Sequence, residues 1–159
     1  MGKFKVVLLL PEGLIFLAMS KPEISITPAE EVTQAAGWLR TQLRAFNEQF
    51  LGVHQPTPIA CVAKVDGEMV GGMLGTVVLD WLAVDIVYIE EAYRGTGLGT
   101  QLLMDLEAEG RRLGAKRAFV DTTSFQAEGF YTKFGYVEWG RFTDFAPGID
   151  RIFLRKDKL

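Results

Sequence analysis

The sequence is poor in the residues that build metal centres and disulfide frameworks. It has one cysteine, Cys61, and one histidine, His54. A single thiol cannot close a disulfide within the chain, a usage that fits a reducing cytoplasm. One His and one Cys give no ligand set of the zinc type, so no metal is expected. Cys61 lies in an apolar, strand-like run and reads as a packing residue. His54 stands near Pro56 and Pro58 and reads as a loop residue rather than a base. Charge of one sign is lacking too: 20 acidic against 17 basic residues give a net charge of -3. That excludes the strongly basic face of a nucleic-acid binder and is compatible with a cationic substrate such as an amine. Long apolar runs are missing as well. A membrane-spanning helix needs about 20 consecutive, mostly apolar residues. The N-terminal apolar stretches, residues 6–10 and 14–18, are each too short and are split by Pro11-Glu12-Gly13. No membrane association is expected. Repeats, low-complexity tracts and domain linkers are absent.

What is present is a hydrophobic content of 48% over 159 residues, enough for one domain with a substantial core. The first eighteen residues stand apart. Small residues near position 18 would suit a signal peptide, but the Pro-Glu-Gly break counts against one. A β-hairpin turning at Pro-Glu-Gly, or an extension upstream of a domain that starts at Met19, fits better. We expect residues 1–18 to form an appended apolar segment that packs on the domain or on a second subunit, which makes a homodimer plausible. The domain itself is expected to span 19–159.

Residues 23–27 alternate and read as a strand. Thr27-Pro28-Ala29-Glu30 has the form of a helix start, with Thr27 as cap, Pro28 at the first helical position and Glu30 completing a capping box. Apolar residues then recur at helical spacing through Phe50, with Gly37 a candidate kink and Gly52 the stop. Residues 59–65, 69–78 and 82–89 read as three successive strands, the first two joined at Asp66-Gly67, a tight-turn pair. After a glycine-rich bend, Leu98, Leu102, Leu103, Leu106 and Leu113 mark one stripe of a helix that stops at Gly114. A strand at 117–121, a short helix at about 126–134 closed by Gly135, and two strands at 136–142 and 151–155 complete the order.

The stretch Ile86-Val87-Tyr88-Ile89-Glu90-Glu91-Ala92-Tyr93-Arg94-Gly95-Thr96-Gly97-Leu98-Gly99-Thr100 organises the rest. Glycines at 95, 97 and 99 allow a tight bend and close approach of a ligand to the backbone. The helix that follows leaves its first N–H groups without internal partners, and these with the helix dipole attract an anion. Arg94 adds a fixed positive charge at the mouth. A Walker loop needs GxxxxGK[ST], which is missing here. A Rossmann fingerprint needs GxGxxG early in a βαβ unit, whereas this spacing is GxGxG. A glycine turn before a core helix would look the same in isolation. The whole string Arg94-Gly-Thr-Gly-Leu-Gly99, between an apolar strand and a helix, matches the [RQ]-x-x-G-x-[GA] signature and resembles the GNAT superfamily of N-acetyltransferases. A second segment, Thr123 to Tyr136, is similar to that family's helix ending F-Y-x-K-x-G-[FY]. From Met19 onward the order of elements follows the family, and the wording around Phe125-Gln126-Ala127 resembles a bacterial branch of unassigned substrate.

The resemblance implies an α/β fold of GNAT type: a mixed, mostly antiparallel central sheet flanked by helices. It implies acetyl-coenzyme A as co-substrate, its pyrophosphate held at the bend by Arg94, Gly95, Thr96, Gly97, Leu98, Gly99 and Thr100. It implies that the preceding strand splays from its neighbour, leaving backbone groups of Val87, Tyr88 and Ile89 free for the pantetheine arm and acetyl carbonyl, where free N–H groups would stabilise an oxyanion. Tyr131 takes the place of the tyrosine that protonates the departing thiolate; otherwise it is a core residue beside Phe130 and Phe134. Many members carry an asparagine seven residues earlier that touches the cofactor; Ser124 stands there in this chain. From the residues themselves, Asp85 is a carboxylate in an apolar strand, on the same side as Val87 and Ile89 by alternation. Half-buried, it would serve as a base or as a structural carboxylate paired with an arginine or an amide. Glu90, Glu91, Asp80 and Asp144 are weaker candidates. The expected reaction is direct acetyl transfer to a primary amine of a small molecule in a ternary complex. The alternatives are an acyl-coenzyme A sensor without turnover and an enzyme acting on a protein amine.

Overall fold

The computed structural model describes residues 6–10, 13–17 and 21–159, with backbone only for the first two stretches and for residue 128. The chain divides into two compact units, residues 1–50 and residues 51–159. In the first, strands β1 (Val6–Leu10) and β2 (Gly13–Leu17) pair antiparallel, Val6 opposite Leu17 and Leu10 opposite Gly13. The turn proposed at Pro11-Glu12 lies outside the described residues. A single turn of 3₁₀ helix (Ala29–Glu31) leads into α1 (Val32–Leu51). The capping box expected at Thr27 does not form: Pro28 is the cap residue, and no side chain bonds the helix start. Gly37 does not split the helix. Its carbonyl accepts a bond from Thr41 Oγ1 at 2.9 Å. Gly52 ends the helix with φ +73°, a left-handed conformation that glycine adopts without a Cβ penalty. Residues 23–27 are coil rather than strand. Alternation marks a segment able to pair, and it does not supply the edge to pair with.

The second unit is built on a six-stranded sheet whose strands, taken in order across it, begin at Thr57, Glu68, Trp81, Arg117, Ile149 and Val137. β3 (Thr57–Val65), β4 (Glu68–Val78) and β5 (Trp81–Ile89) form the antiparallel meander. Asp66 and Gly67 both take positive φ, 51° and 88°, as a two-residue hairpin turn demands. β5 then crosses over through the glycine bend and α2 (Leu98–Arg112) to β6 (Arg117–Thr123), which lies parallel to it. After α3 (Glu128–Tyr131) and a further 3₁₀ turn (Thr132–Phe134), Gly135 turns the chain with φ +85°. β7 (Val137–Ala146) and β8 (Ile149–Lys156) close the sheet as an antiparallel hairpin, β8 pairing β6. This is the mixed, mostly antiparallel sheet flanked by helices that the sequence implied. Among the described residues no helix is long and apolar enough to cross a membrane.

α2 covers one face of the sheet. Its Leu102, Leu103 and Leu106 are buried with Met73, Val77, Leu82, Val84, Ala118, Val120, Ile152 and Leu154. Burying such side chains is worth roughly 1.5–3 kcal/mol each. Close approach of helix to sheet depends on glycine: a Cβ on Gly110 would lie 3.0 Å from Leu82 Cδ2, and one on Gly75 would lie 3.2 Å from Leu106 Cδ2 of α2. One charge sits inside this layer. Glu107 of α2 is 6% exposed, and Lys156 Nζ donates to both its oxygens at 3.0 and 2.7 Å. A buried carboxylate needs such a partner, because desolvation otherwise costs more than the fold returns.

Candidate functional site

β5 and β6 are partners over four residues only, 81–84 against 117–120. β5 continues to Ile89 and β6 to Thr123 without pairing across the gap. The parallel ladder therefore opens like a fork, and among the described residues no strand lies beside the edge of β5 on that side from residue 85 onward. A cleft of about 840 Å³ occupies the fork. Val84, Asp85, Ile86, Val87, Tyr88 and Ile89 form one wall. Asp121, Thr122, Phe125, Gln126, Phe130 and Tyr131 form the other, and Arg94, Gly95 and Gly99 form one end.

At that end the bend has the geometry its sequence implied. Gly95 and Gly97 take φ of +73° and +92°, and Gly97 is the cap residue of α2. A Cβ on either would meet nothing within 4 Å, so the backbone faces open space. Gly99 is different: its Cβ position is 3.3 Å from Ile89 Cδ1, so this glycine serves the packing of helix on strand. The ladder of α2 opens with Gln101 N–H donating to the Gly97 carbonyl at 3.1 Å. The N–H groups of Leu98, Gly99 and Thr100 come before it, and a helix start offers them no carbonyl four residues back. The bend is braced from within. Thr96 Oγ1 donates to the Tyr93 carbonyl at 2.8 Å, and Arg94 Nε donates to the Ile89 carbonyl at 2.9 Å. Free N–H groups at a helix start with open space before them are the general features of an anion site.

Tyr131 lies in the opposite wall and is 3% exposed. Its ring meets Phe130 edge-on at 5.1 Å and Tyr136 at 5.5 Å. Burial, and then the charge of Asp121, push its phenol up to about 12, so it keeps its proton at neutral pH. Tyr136 behind it is 1% exposed, its hydroxyl buried beside the Glu107 carboxylate without hydrogen-bond geometry. Burial, and then the Glu107 charge, raise that phenol beyond the usual tyrosine range.

Two expectations about side chains are corrected. Asp85 does not share a side with Val87 and Ile89, and it is not half-buried. The register of β4 with β5 slips between Leu74 and Gly75: Gly75 faces Val84 and Leu74 faces Ile86, so Asp85 is the extra residue of a bulge. Its carboxylate accepts a bond from Thr76 Oγ1 at 2.7 Å and is exposed. Val87, by contrast, stands opposite buried Met73 on the face covered by α2. Ser124 does not line the cleft. Its Oγ accepts from Asp150 N–H at 3.1 Å, and its own N–H donates to the Asp150 carbonyl at 3.0 Å. It clamps the loop after β6 to the β7–β8 hairpin. Thr96, Gly97, Leu98 and Thr100 belong to the bend but not to the lining, whereas Val87, Tyr88, Ile89, Arg94, Gly95, Gly99, Asp85 and Tyr131 line it. Thr122, Gln126 and Asp121 line it too and were not singled out by sequence. Asp121 accepts from Arg151 Nε at 2.7 Å. The sequence signal for this trio was its nearness to the tyrosine helix and, for Gln126, the Phe125-Gln126-Ala127 wording.

Known proteins resemble this chain in sequence and in fold. The model of the acetyltransferase (GNAT) family matches residues 24–136. The blasticidin-S acetyltransferase of Streptomyces morookaense is 39% identical over 92 residues, 57% of this chain and 68% of that protein. A crystal structure of an acetyltransferase from Bacillus cereus ATCC 14579 has a TM-score of 0.77 at 29% identity, covering 87% of this chain and 98% of that one. A Bacillus anthracis structure solved in complex with acetyl coenzyme A shares the fold, with a TM-score of 0.56 at 16% identity over 64% of this chain and 63% of its own. The family match covers most of the second unit, from the meander through the glycine bend and α2 to Tyr136. This chain therefore belongs to the GNAT family of N-acetyltransferases, enzymes whose acetyl donor is acetyl-coenzyme A.

Proposed function

We propose that this enzyme moves the acetyl group from acetyl-coenzyme A directly to a primary amine of a small molecule, with both substrates bound together. The observation that carries the reading is the fork between β5 and β6, which has a helix N-terminus at one end and a buried phenol in its wall. Acetyl-coenzyme A supplies the activated thioester. The amides opening α2 hold its diphosphate, with Arg94 beside them. The unpaired edge of β5 offers N–H groups to the acetyl oxygen as it gains charge. Tyr131, neutral at working pH, directs its hydroxyl proton at the departing sulfur. Asp85, exposed in its bulge, takes the amine's proton through water.

No covalent enzyme intermediate enters, because the described lining holds no thiol and no serine beside a base. The small-molecule class is supported by the Streptomyces relative, a blasticidin-S acetyltransferase. The test is release of coenzyme A thiol with acetyl-coenzyme A against a panel of small amines and amine-bearing peptides. Turnover of a small amine, with initial-rate lines that intersect, is the expected result. Cofactor binding without turnover of any amine would instead make the chain a sensor, and parallel lines would mean a covalent intermediate.

A further inference from the structure

We infer that Gln126 is a cofactor-binding residue, its side-chain amide donating from the far wall of the cleft to an amide carbonyl of the pantetheine arm. This rests on the reading of the cleft as the seat of acetyl-coenzyme A. The position marked by the resemblance, Ser124, is spent on Asp150 and does not line the cleft. Gln126, two residues later, does line it.

The orientation of its amide follows from its bonds. The Thr123 N–H donates to Gln126 Oε1 at 3.2 Å, and Thr122 Oγ1 stands 3.4 Å from the same oxygen. A backbone N–H can only donate, so the atom facing it must be the carbonyl oxygen rather than the nitrogen. The NH₂ group therefore points away from the Thr122–Thr123 backbone. Gln126 N–H in turn donates to the Thr123 carbonyl at 2.9 Å, so the residue is held from main chain and side chain together. Ser124 locks the same loop to β8 through its paired bonds with Asp150. A donor fixed in this way loses little freedom when it binds, which is what makes a single hydrogen bond worth measurable affinity. The pantetheine arm carries two amide carbonyls, and if it lies in this cleft as proposed, a donor on the far wall would be placed to meet one of them.

The test is calorimetric titration of the native chain and of Gln126→Glu and Gln126→Met with acetyl-coenzyme A and, separately, with 3′,5′-ADP, which lacks the pantetheine arm. Gln126→Glu keeps the oxygen that receives the Thr123 N–H and removes the donor; Gln126→Met removes both. At least tenfold weaker binding of acetyl-coenzyme A to both variants is expected, with the 3′,5′-ADP affinity within threefold of native. A smaller loss in Gln126→Glu overturns the assignment, and so does an equal loss for 3′,5′-ADP, which would mean that the loop and not the amide had been disturbed. A native chain that binds 3′,5′-ADP but shows no gain from the arm also overturns it. A native chain that binds neither ligand overturns the reading of the cleft itself.

Discussion

Replacing Tyr131 by phenylalanine isolates one hydroxyl at the proposed reaction centre, and its cost can be worked from the site. The phenol is held at about 12 by burial and by the charge of Asp121. An ordinary thiol titrates near about 8.5, so complete proton transfer from this phenol to a free thiolate would run uphill by about 5 kcal/mol. The hydroxyl is therefore better suited to hold a hydrogen bond to the sulfur while charge develops there than to surrender its proton early. A hydrogen bond to a charged acceptor contributes about 1.5–3 kcal/mol. On that basis Tyr131→Phe should lower kcat by ~10- to 150-fold, below the upper range of a full general acid. The ring contacts with Phe130 and Tyr136 survive the substitution, so the KM for acetyl-coenzyme A should stay within twofold. Thiol release at saturating amine is the assay. A second arm uses an acetyl thioester of a more acidic thiol, which needs less help in leaving; the defect should shrink there. A fall beyond ~10³-fold would refute the hydrogen-bond argument in favour of full proton transfer. A change under threefold would remove Tyr131 from the chemistry.

Three further outcomes are expected. Gly97→Val should abolish binding of acetyl-coenzyme A, because a branched side chain at φ +92° both strains the cap of α2 and fills the open space before it; retained affinity in calorimetry would mean that the bend is not the diphosphate seat. Lys156→Met should destabilise the chain by about 3 kcal/mol in urea, the low end for stranding a buried charge, since Arg111 Nη1 remains 3.7 Å from Glu107; an unchanged midpoint would show that Glu107 is not held by this pair. Alkaline pH should weaken the fold through Tyr131 and Tyr136. Both phenols are raised in the folded chain, so their contribution is complete below the unfolded value of about 10 and is lost as pH climbs through the folded one. At pH 11 the loss is about 1.4 kcal/mol for each, and Tyr136→Phe should halve the drop in Tm between pH 9 and 11; equal drops in the two proteins would contradict this.

Much of the fold could be read before any coordinates, wherever the information was local. Asp66-Gly67 named its own hairpin because two successive positive φ angles tolerate few other residues. The leucines of α2 marked their buried face, and the three glycines marked a bend whose first two members do adopt left-handed geometry. Failures came where a residue's fate depends on something distant in sequence. The bulge that turns Asp85 towards Thr76 is a property of the β4–β5 register and leaves no trace in the alternation of β5 alone. Ser124 was matched by position, but Asp150, 26 residues on, claims its hydroxyl. Residues 23–27 carried a strand pattern and stayed coil, since alternation cannot name a neighbour. Gln126 was seen only as part of the Phe125-Gln126-Ala127 wording and given no site role, because a lone glutamine beside a motif carries no spacing rule of its own.

The shortness of the parallel ladder has a wider consequence. If the cleft seats the donor as proposed, residues 85–89 would meet it with main chain, which every amino acid supplies in identical form. The side chains of Ile86 and Tyr88, both largely exposed, are thereby released from that duty. Such a scaffold can be retuned to a new acceptor by exchanging side chains alone, while its hold on the thioester stays untouched.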